Sequence, residues 1–220
     1  MTAVATSSLK AVAVTPVEFT EMPADRRVRF TVEQYEQLMR AGFLIEGSPI
    51  ELLDGQLIWK DRRDHRSPGM SVGKWHAQII RLLIVWLTKV CDGHDCFLMS
   101  QLPLSLTPTN EPEPDICVII GSPEDEFPRH PEPHQVLVVI QVADSSLSYD
   151  LGEKLRLYAS VGIPVYWVID LVNDAIVVLE DPDSGSQQYR QRTICHKGES
   201  ISLTLADGTV ASTPVDAFLP

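Results

Sequence analysis

The sequence has few of the features that mark a membrane, secreted or nucleic-acid-coating protein. No apolar run reaches the roughly 18 residues that a membrane span needs, and residues 1–16 lack the apolar core and cleavage site of a signal peptide. Lysine and arginine total 18 against 30 aspartates and glutamates, which gives a net charge of −12. Non-specific coating of nucleic acid needs the opposite balance. We therefore expect a soluble, cytoplasmic protein with no membrane partner.

Several common site motifs are also missing. The chain has no Gly-x-Ser-x-Gly nucleophile elbow, no Walker-type phosphate loop and no Gly-x-Gly-x-x-Gly fingerprint. It has only four cysteines, and without a secretion signal a disulfide framework is not expected. The segment from Cys91 to Cys96 lacks the paired Cys-x-x-Cys spacing of a zinc site. Buried or surface thiols in a turn are the simpler interpretation.

Clear signals for local structure begin after residue 27. We expect residues 1–27 to be a flexible lead-in and residues 28–220 to form a single domain. Thr31 and Gln34 form a capping-box pattern that predicts a helix over 32–40. Asp54 and Gly55 between two apolar runs predict a hairpin over 50–59.

The remaining segments predict a sheet with helices packed on it. Helical spacing predicts a long helix over 75–90, and a capping-box pattern at Asp150 and Glu153 predicts another helix that ends before Gly162. The predicted strands are 96–106, 116–120, 136–142, 165–171, 175–180, 188–194 and 201–205. The fold class is α/β (α+β), a mixed sheet flanked by helices.

One group of polar residues points to chemistry. If strands 116–120 and 136–142 are antiparallel neighbours, Asp115 at the start of one and Gln141 near the end of the other share a corner of the sheet. Glu51 in the hairpin could reach that corner. Lys154, placed in the first turn of its helix, opposes the helix dipole.

Each of these residues also has a plain structural interpretation. Asp115 could simply begin a strand after a turn, and Glu51 could be an exposed strand residue. Gln141 could be a buried amide satisfied by hydrogen bonds. Lys154 could be a solvated helix residue. The sequence alone leaves both sets of interpretations open.

The motifs around these residues resemble those of a known family. In chain order they are Tyr35, Ile-Glu-Leu-Leu-Asp-Gly at 50–55, Pro-Asp at 114–115, Val-Ile-Gln-Val-Ala-Asp-Ser-Ser at 139–146, Asp150, Lys154, Tyr-Ala at 158–159, and Gly-Ile-Pro-Val-Tyr-Trp-Val-Ile-Asp at 162–170. Together they resemble the Uma-type family of putative restriction endonucleases, within the broad PD-(D/E)XK nuclease-like class. The resemblance covers residues 30–180.

The resemblance implies a restriction-endonuclease-like fold and cleavage of phosphodiester bonds in DNA. It implies that Asp115, Glu51 and Gln141 hold Mg²⁺ or Mn²⁺, and that Lys154 orients the attacking water, stabilises charge or helps to deprotonate the water. Hard oxygen ligands suit Mg²⁺, which polarises phosphate and lowers the pKa of bound water.

Two further residues and one assembly state complete the expectations. His76 on the long helix and Gln101 are candidate contacts to substrate. The loop with Lys60, Arg62, Arg63 and Arg66 is a candidate basic face, although its interleaved Asp61 and Asp64 favour a solvated surface. Enzymes that cut both strands often pair two sites, so a homodimer or higher homo-oligomer is expected.

Gln141 departs from the family pattern, which has glutamate at this position. The amide removes one negative charge from the predicted metal site. Glu51, Glu113 and Asp144 are candidates to replace that charge. Two functions stay open: a weakened metal-dependent endonuclease, or an oligomeric binding protein that keeps the fold without the chemistry.

Overall fold

A computed structural model describes residues 27–45, 47–60 and 73–219. Most of the predicted N-terminal lead-in lies outside the described residues, and so do Arg62, Arg63 and Arg66 of the basic loop. Lys60, the first residue of that basic cluster, is described.

Regular elements alternate along the chain much as the hydrophobic pattern predicts. The helices are α1 Val32–Arg40, α2 Lys74–Cys91, α3 Leu147–Tyr149 and α4 Leu155–Ser160, and a π-helical stretch, Asp150–Lys154, joins the last two. The strands are β1 Ile50–Leu53, β2 Gln56–Trp59, β3 Cys96–Ser100, β4 Ile116–Ile120, β5 Val136–Ala143, β6 Val165–Asp170, β7 Ala175–Asp183, β8 Gln188–Cys195, β9 Ser200–Thr204 and β10 Val210–Pro214.

Six strands form one mixed sheet in the order β3-β4-β5-β6-β7-β8. The β5–β6 pair is parallel and the other neighbouring pairs are antiparallel. All eight residues of β5 are buried, because helices cover both faces of the sheet. The predicted mixed sheet flanked by helices is confirmed.

The two faces of the sheet carry separate cores. Alternate residues of each strand point to opposite faces, so Val138 and Ile140 pack with α2 while Val139 packs with α4. The helical segment 147–160 crosses over from β5 to its parallel neighbour β6. This crossover segment therefore begins at the carboxyl end of β5, where several polar side chains lie close together.

The hairpin of β1 and β2 is held against this end of the sheet. Asp54 and Gly55 at its turn have φ of 49° and 70°, as the predicted Asp-Gly turn requires. A Cβ on Gly55 would lie 2.6 Å from the Cβ of Arg29, so glycine is also required by space. The backbone N–H of Glu111 donates to the carbonyl of Leu52 at 2.8 Å, which fixes β1 beside the segment that leads into β4.

The strand β10 was not predicted, β7 is three residues longer than predicted, and two predicted boundaries near the site are wrong. The strand expected over 96–106 ends at Ser100, because Gln101 has a φ of 55° and its N–H turns toward the carbonyls of Pro114 and Asp115, both at 3.2 Å. The helix expected to begin at Asp150 begins at Leu147. Asp150 lies inside the helical segment, and its carboxylate accepts a hydrogen bond from Ser146 Oγ at 2.6 Å instead of capping a helix.

The core also contains aromatic and thiol side chains. Tyr166 and Trp167 are buried, Trp86 stacks on Trp167 with 6.1 Å between ring centroids, and all four cysteines are free and buried. Within the described ranges, no helix combines the length and the apolar character needed to cross a bilayer.

Candidate functional site

A cavity of about 200 Å³ lies where the start of β4 meets the end of β5. Five of the six predicted site residues line it: Glu51, His76, Asp115, Gln141 and Lys154. They come from five different parts of the chain. The sheet register brings two of them together, because Ile116 of β4 pairs with Ile140 of the antiparallel β5. The conditional prediction that Asp115 and Gln141 share a corner is confirmed.

Asp115 is a buried carboxylate with an organised set of donors. Its Oδ2 accepts the backbone N–H of Val142 at 2.8 Å and lies 3.3 Å from Nε2 of His76. Burial alone would raise the pKa of Asp115, but the His76 contact and the Val142 N–H outweigh burial and lower it. Asp115 is therefore an ionised acid at neutral pH although it is buried, because the surrounding donors compensate for the loss of water.

The amide of Gln141 links the Asp115 carboxylate to the Lys154 ammonium. In the orientation that satisfies its neighbours, its NH₂ donates to Asp115 Oδ2 at 3.0 Å and its oxygen accepts from Lys154 Nζ at 3.3 Å. The side chain is 4% exposed, and the amide also lies 3.5 Å from the Tyr158 hydroxyl. Gln141 thus completes the network as a neutral link, where a carboxylate would face Asp115 directly.

Lys154 is a buried ammonium between two carboxylates. Its Nζ lies 2.9 Å from Glu51 Oε1 and 3.8 Å from Asp150 Oδ1. Burial would lower the pKa of Lys154, but the two negative charges outweigh it and raise the pKa. The side chain keeps its proton throughout the physiological range, so it acts as a fixed positive charge.

The position of Lys154 in its helix differs from the prediction. It lies in the interior of the 147–160 segment, so the argument from the helix dipole does not apply to it. The π-helical stretch spans Asp150–Lys154 and carries both side chains into the cavity. Such stretches occur frequently at functional sites. The solvated-helix interpretation of Lys154 is excluded by its burial.

Glu51 is buried at 2% exposure and is not the exposed strand residue that the sequence allowed. One carboxylate oxygen pairs with Lys154, and the other accepts the backbone N–H of Glu113 at 3.1 Å. The hairpin therefore contributes a second acid to the same network. Its predicted role as a metal ligand stays a prediction.

The two candidate substrate contacts differ in placement. His76 lines the cavity, and its Nδ1 has no hydrogen-bond partner in the described part of the chain. Gln101 has an exposed side chain and is not among the residues that line the cavity. The structure brings His76 to the site and leaves Gln101 outside it.

The cavity also contains residues that sequence reasoning missed. Asp150 was taken for a helix cap, and its burial raises its pKa to about 6 even though Lys154 lowers it. The four-residue spacing of Asp150 and Lys154 on one helix face could have indicated a pair. Lys60 is buried in an ion pair with Glu113, so it does not belong to a solvated basic face. Trp59 and Tyr149 complete the rim.

The donor atoms of the site suit a hard divalent cation in chemistry. Asp115 and Glu51 offer carboxylate oxygens, and Gln141 offers a neutral one. Over residues 27–45, 47–60 and 73–219, however, no three Asp, Glu, His or Cys side chains are grouped closely enough to hold a metal ion. The ammonium of Lys154 lies between Glu51 and Asp150 and offsets their negative charge.

Comparison with known proteins gives a family and a fold. A family model described as "Uma2: Putative restriction endonuclease" matches residues 32–213. A crystal structure titled as a putative nuclease belonging to DUF820, from Anabaena variabilis, is similar with a TM-score of 0.53 and 15% sequence identity, over 75% of this chain and 83% of that one. No protein of curated function matches the sequence.

Proposed function

We propose that this chain, which belongs to the Uma2 family of putative restriction endonucleases, is a nuclease that hydrolyses phosphodiester bonds in DNA at the cavity around Asp115. The observation that carries the proposal is the buried network Asp115–Gln141–Lys154–Glu51. It joins two acids and a protonated lysine in one cavity at the end of the central sheet. Each of these buried charges is costly to desolvate, and buried, strongly perturbed charges in a cavity are typical of sites that act on a substrate.

Lys154 supplies charge to the reaction. Since its pKa is raised, it does not take a proton from water, and the alternative of a lysine base is disfavoured. A fixed ammonium in a cavity lined by buried side chains stabilises the negative charge that develops on a phosphoryl oxygen as the bond breaks. Glu51 and Asp150 hold that ammonium in place before substrate arrives.

Asp115 and Glu51 are the residues that would hold a divalent cation, Mg²⁺ or Mn²⁺, since Mg²⁺ is often held by only one or two carboxylates with water in its other positions. Gln141 would be a weak neutral ligand once its oxygen turns away from Lys154. Such an ion would supply Lewis-acid polarisation of the phosphate and a more acidic bound water. His76 orients the Asp115 carboxylate through Nε2, and the Val142 N–H holds the same oxygen. These contacts keep the carboxylate ionised, as a metal ligand must be.

A second function is favoured by one observation. Gln141 forms a satisfied hydrogen-bond network without any metal, because its amide donates to one charge and accepts from the other. A lapsed nuclease that serves as an oligomeric binding protein would keep such a network for stability alone. The two functions differ in whether Lys154 affects bond cleavage.

The test is cleavage of supercoiled plasmid in Mg²⁺ or Mn²⁺ by wild type, Lys154→Met and Lys154→Arg. Lys89→Met serves as the matched control, since Lys89 is an exposed lysine on α2. Loss of one preorganised charge typically slows a reaction by about 10²–10³-fold, so we expect that loss for Lys154→Met and wild-type rates for Lys89→Met. Lys154→Arg keeps the charge, and thermal melting identifies any variant that fails to fold. A folded Lys154→Met that cuts at the wild-type rate contradicts the proposed role, and wild type without cleavage favours the binding protein.

A further inference from the structure

Trp59 is an exposed aromatic residue at the rim of the candidate active site. It is 69% exposed, although three of the four tryptophans in the chain are packed in or against the core. It lines the same cavity as Asp115 and Lys154. Across the described residues, no aromatic ring or cation contacts its indole. One exposed apolar residue is not unusual by itself, but an exposed indole that lines a polar cavity has a ring face available for a ligand.

The indole is carried by a rigid element. Trp59 is the last residue of β2 and pairs with Ile50 of β1. The ladder continues one step further, because the N–H of Lys60 donates to the carbonyl of Pro49 at 2.8 Å. Beyond it, the Lys60 side chain is anchored to Glu113. The backbone on both sides of Trp59 is therefore fixed before any ligand arrives, and binding would cost little ordering of this strand.

The cavity itself is too small to enclose a nucleotide. Its volume of about 200 Å³ is below the roughly 300–1,000 Å³ of pockets that take up a whole small molecule. A phosphodiester group can enter it, while the attached base has to stay at the rim. Both lysines of the cavity already face carboxylates, Lys60 with Glu113 and Lys154 with Glu51. Affinity for substrate must then come partly from contacts other than charge.

We infer that Trp59 stacks on an unpaired base next to the scissile phosphate, so that the preferred substrate is single-stranded or locally unpaired nucleic acid. This rests on the proposed nuclease function and narrows its substrate class. An indole stacks only on a base whose face is free, and in a continuous duplex both faces are covered by neighbouring bases. In a single strand, an end or a bulge, the face is open and any of the four bases can use it.

The test is the affinity for a fluorescein-labelled single-stranded DNA oligonucleotide and for the blunt duplex of the same sequence. It is measured by anisotropy in EDTA, so that no cleavage occurs. Stacking on one aromatic side chain corresponds to a loss of about 5- to 150-fold on substitution by alanine. We expect Trp59→Ala to weaken single-strand binding by at least about fivefold and duplex binding by less than about twofold. Trp59→Phe should recover most of the affinity. Phe43→Ala is the matched control, since Phe43 is an aromatic residue with 78% exposure that is not among the residues that line the cavity.

The outcomes separate this inference from the function on which it rests. If wild type cuts plasmid but Trp59→Ala binds single strands as wild type does, the stacking role is wrong and the nuclease function stands. Equal losses on single strand and duplex also overturn it, and so does a Trp59→Ala variant that only loses self-association in size-exclusion chromatography. If wild type neither cuts nor binds either oligonucleotide, both the inference and the proposed function fail.

Discussion

Replacing Gln141 by glutamate turns a favourable contact with Asp115 into a contact between two carboxylates. In the wild type, the Gln141 NH₂ donates to Asp115 Oδ2 at 3.0 Å, and the amide oxygen accepts from Lys154 at 3.3 Å. In Gln141→Glu the second contact can persist, but the first becomes two carboxylate oxygens facing each other. Without a proton or a cation between them, two such groups cannot both stay ionised at low cost. The substitution should therefore destabilise the protein without metal and increase its response to metal.

The magnitude follows from the lost hydrogen bond. A buried hydrogen bond to a charged group contributes about 1.5–3 kcal/mol. For a chain of this size, 1 kcal/mol corresponds to a change of about 2–4 °C in Tm. Gln141→Glu should then melt about 3–12 °C below wild type in EDTA at pH 8. A divalent cation at 100 times its Kd returns about 2.7 kcal/mol, so saturating Mg²⁺ should remove most of the deficit.

The pH dependence has a definite sign. Asp115 raises the folded-state pKa of the introduced carboxyl above its unfolded value of about 4.3. The folded state then binds a proton more tightly than the unfolded state, so the deficit is absent at low pH and grows as pH rises through that window. Between pH 5 and pH 8 in EDTA, the difference in Tm between wild type and variant should widen.

The assay is differential scanning fluorimetry of wild type, Gln141→Glu and Gln191→Glu, with and without Mg²⁺. Gln191 is an exposed glutamine on β8 that pairs with Glu180 of β7, so Gln191→Glu also places one carboxylate opposite another, but at the surface. We expect Gln191→Glu to melt within about 4 °C of wild type, since such a cross-strand pair costs about 1 kcal/mol or less, and to show no added response to Mg²⁺. A Gln141→Glu protein with wild-type Tm in EDTA, or with no larger Mg²⁺ response than wild type, would refute the charge arrangement described here.

Two further predictions concern buried charges. Glu111 is buried, its Oε2 has no partner among the residues described, and burial raises its pKa to about 7. The contribution of Glu111 to stability is therefore lost as pH rises from about 4 to 7. The Tm of Glu111→Gln relative to wild type should then rise from pH 5 to pH 8. A Tm difference that stays constant over this range would contradict the prediction. Lys154→Met removes the cation between Glu51 and Asp150. Urea denaturation should show a loss of about 3–5 kcal/mol in the free energy of unfolding, because two acids are left buried without their partner. A loss under about 1 kcal/mol would mean that Lys154 does not pair with these two acids in the buried site.

Much of the scaffold could be predicted because its signals are local. The capping box at Thr31 and Gln34 sets the start of α1, and both of its hydrogen bonds are present. The Asp54-Gly55 pair sets the hairpin turn through its positive φ values. The apolar runs of β4 and β5 reveal strands covered on both faces. In each case a few neighbouring residues decide the backbone.

The site was less accessible to such reasoning because its contacts join distant parts of the chain. The Glu51–Lys154 and Lys60–Glu113 ion pairs depend on how the hairpin packs against the sheet. Propensity gives no signal for the π-helical stretch that places Asp150 and Lys154. The pattern at Asp150 and Glu153 resembles a cap, but helix formation starts three residues earlier at Leu147. Local rules failed where the fold depends on ion pairs buried between distant segments of the chain.

The family resemblance predicted which residues form the site, and the structure shows how these residues contact one another and which of them are charged. Asp115, Gln141, Lys154 and Glu51 were predicted as a group, and they form one connected network. The exposure of Trp59 beside that network could not be predicted. The alternating pattern of β2 does not show which end of the hairpin lies against the cavity.

The most direct test of the central claim is cleavage of supercoiled plasmid by wild type and Asp115→Asn, purified side by side and assayed in Mg²⁺, Mn²⁺ and EDTA. Asparagine keeps the shape of Asp115 and removes the charge that the site maintains. Asp181→Asn controls for the preparation, since Asp181 is an exposed acid on β7 that is not among the residues that line the cavity. We predict metal-dependent nicking by wild type and Asp181→Asn and its loss in Asp115→Asn. Equal nicking by all three proteins would contradict it.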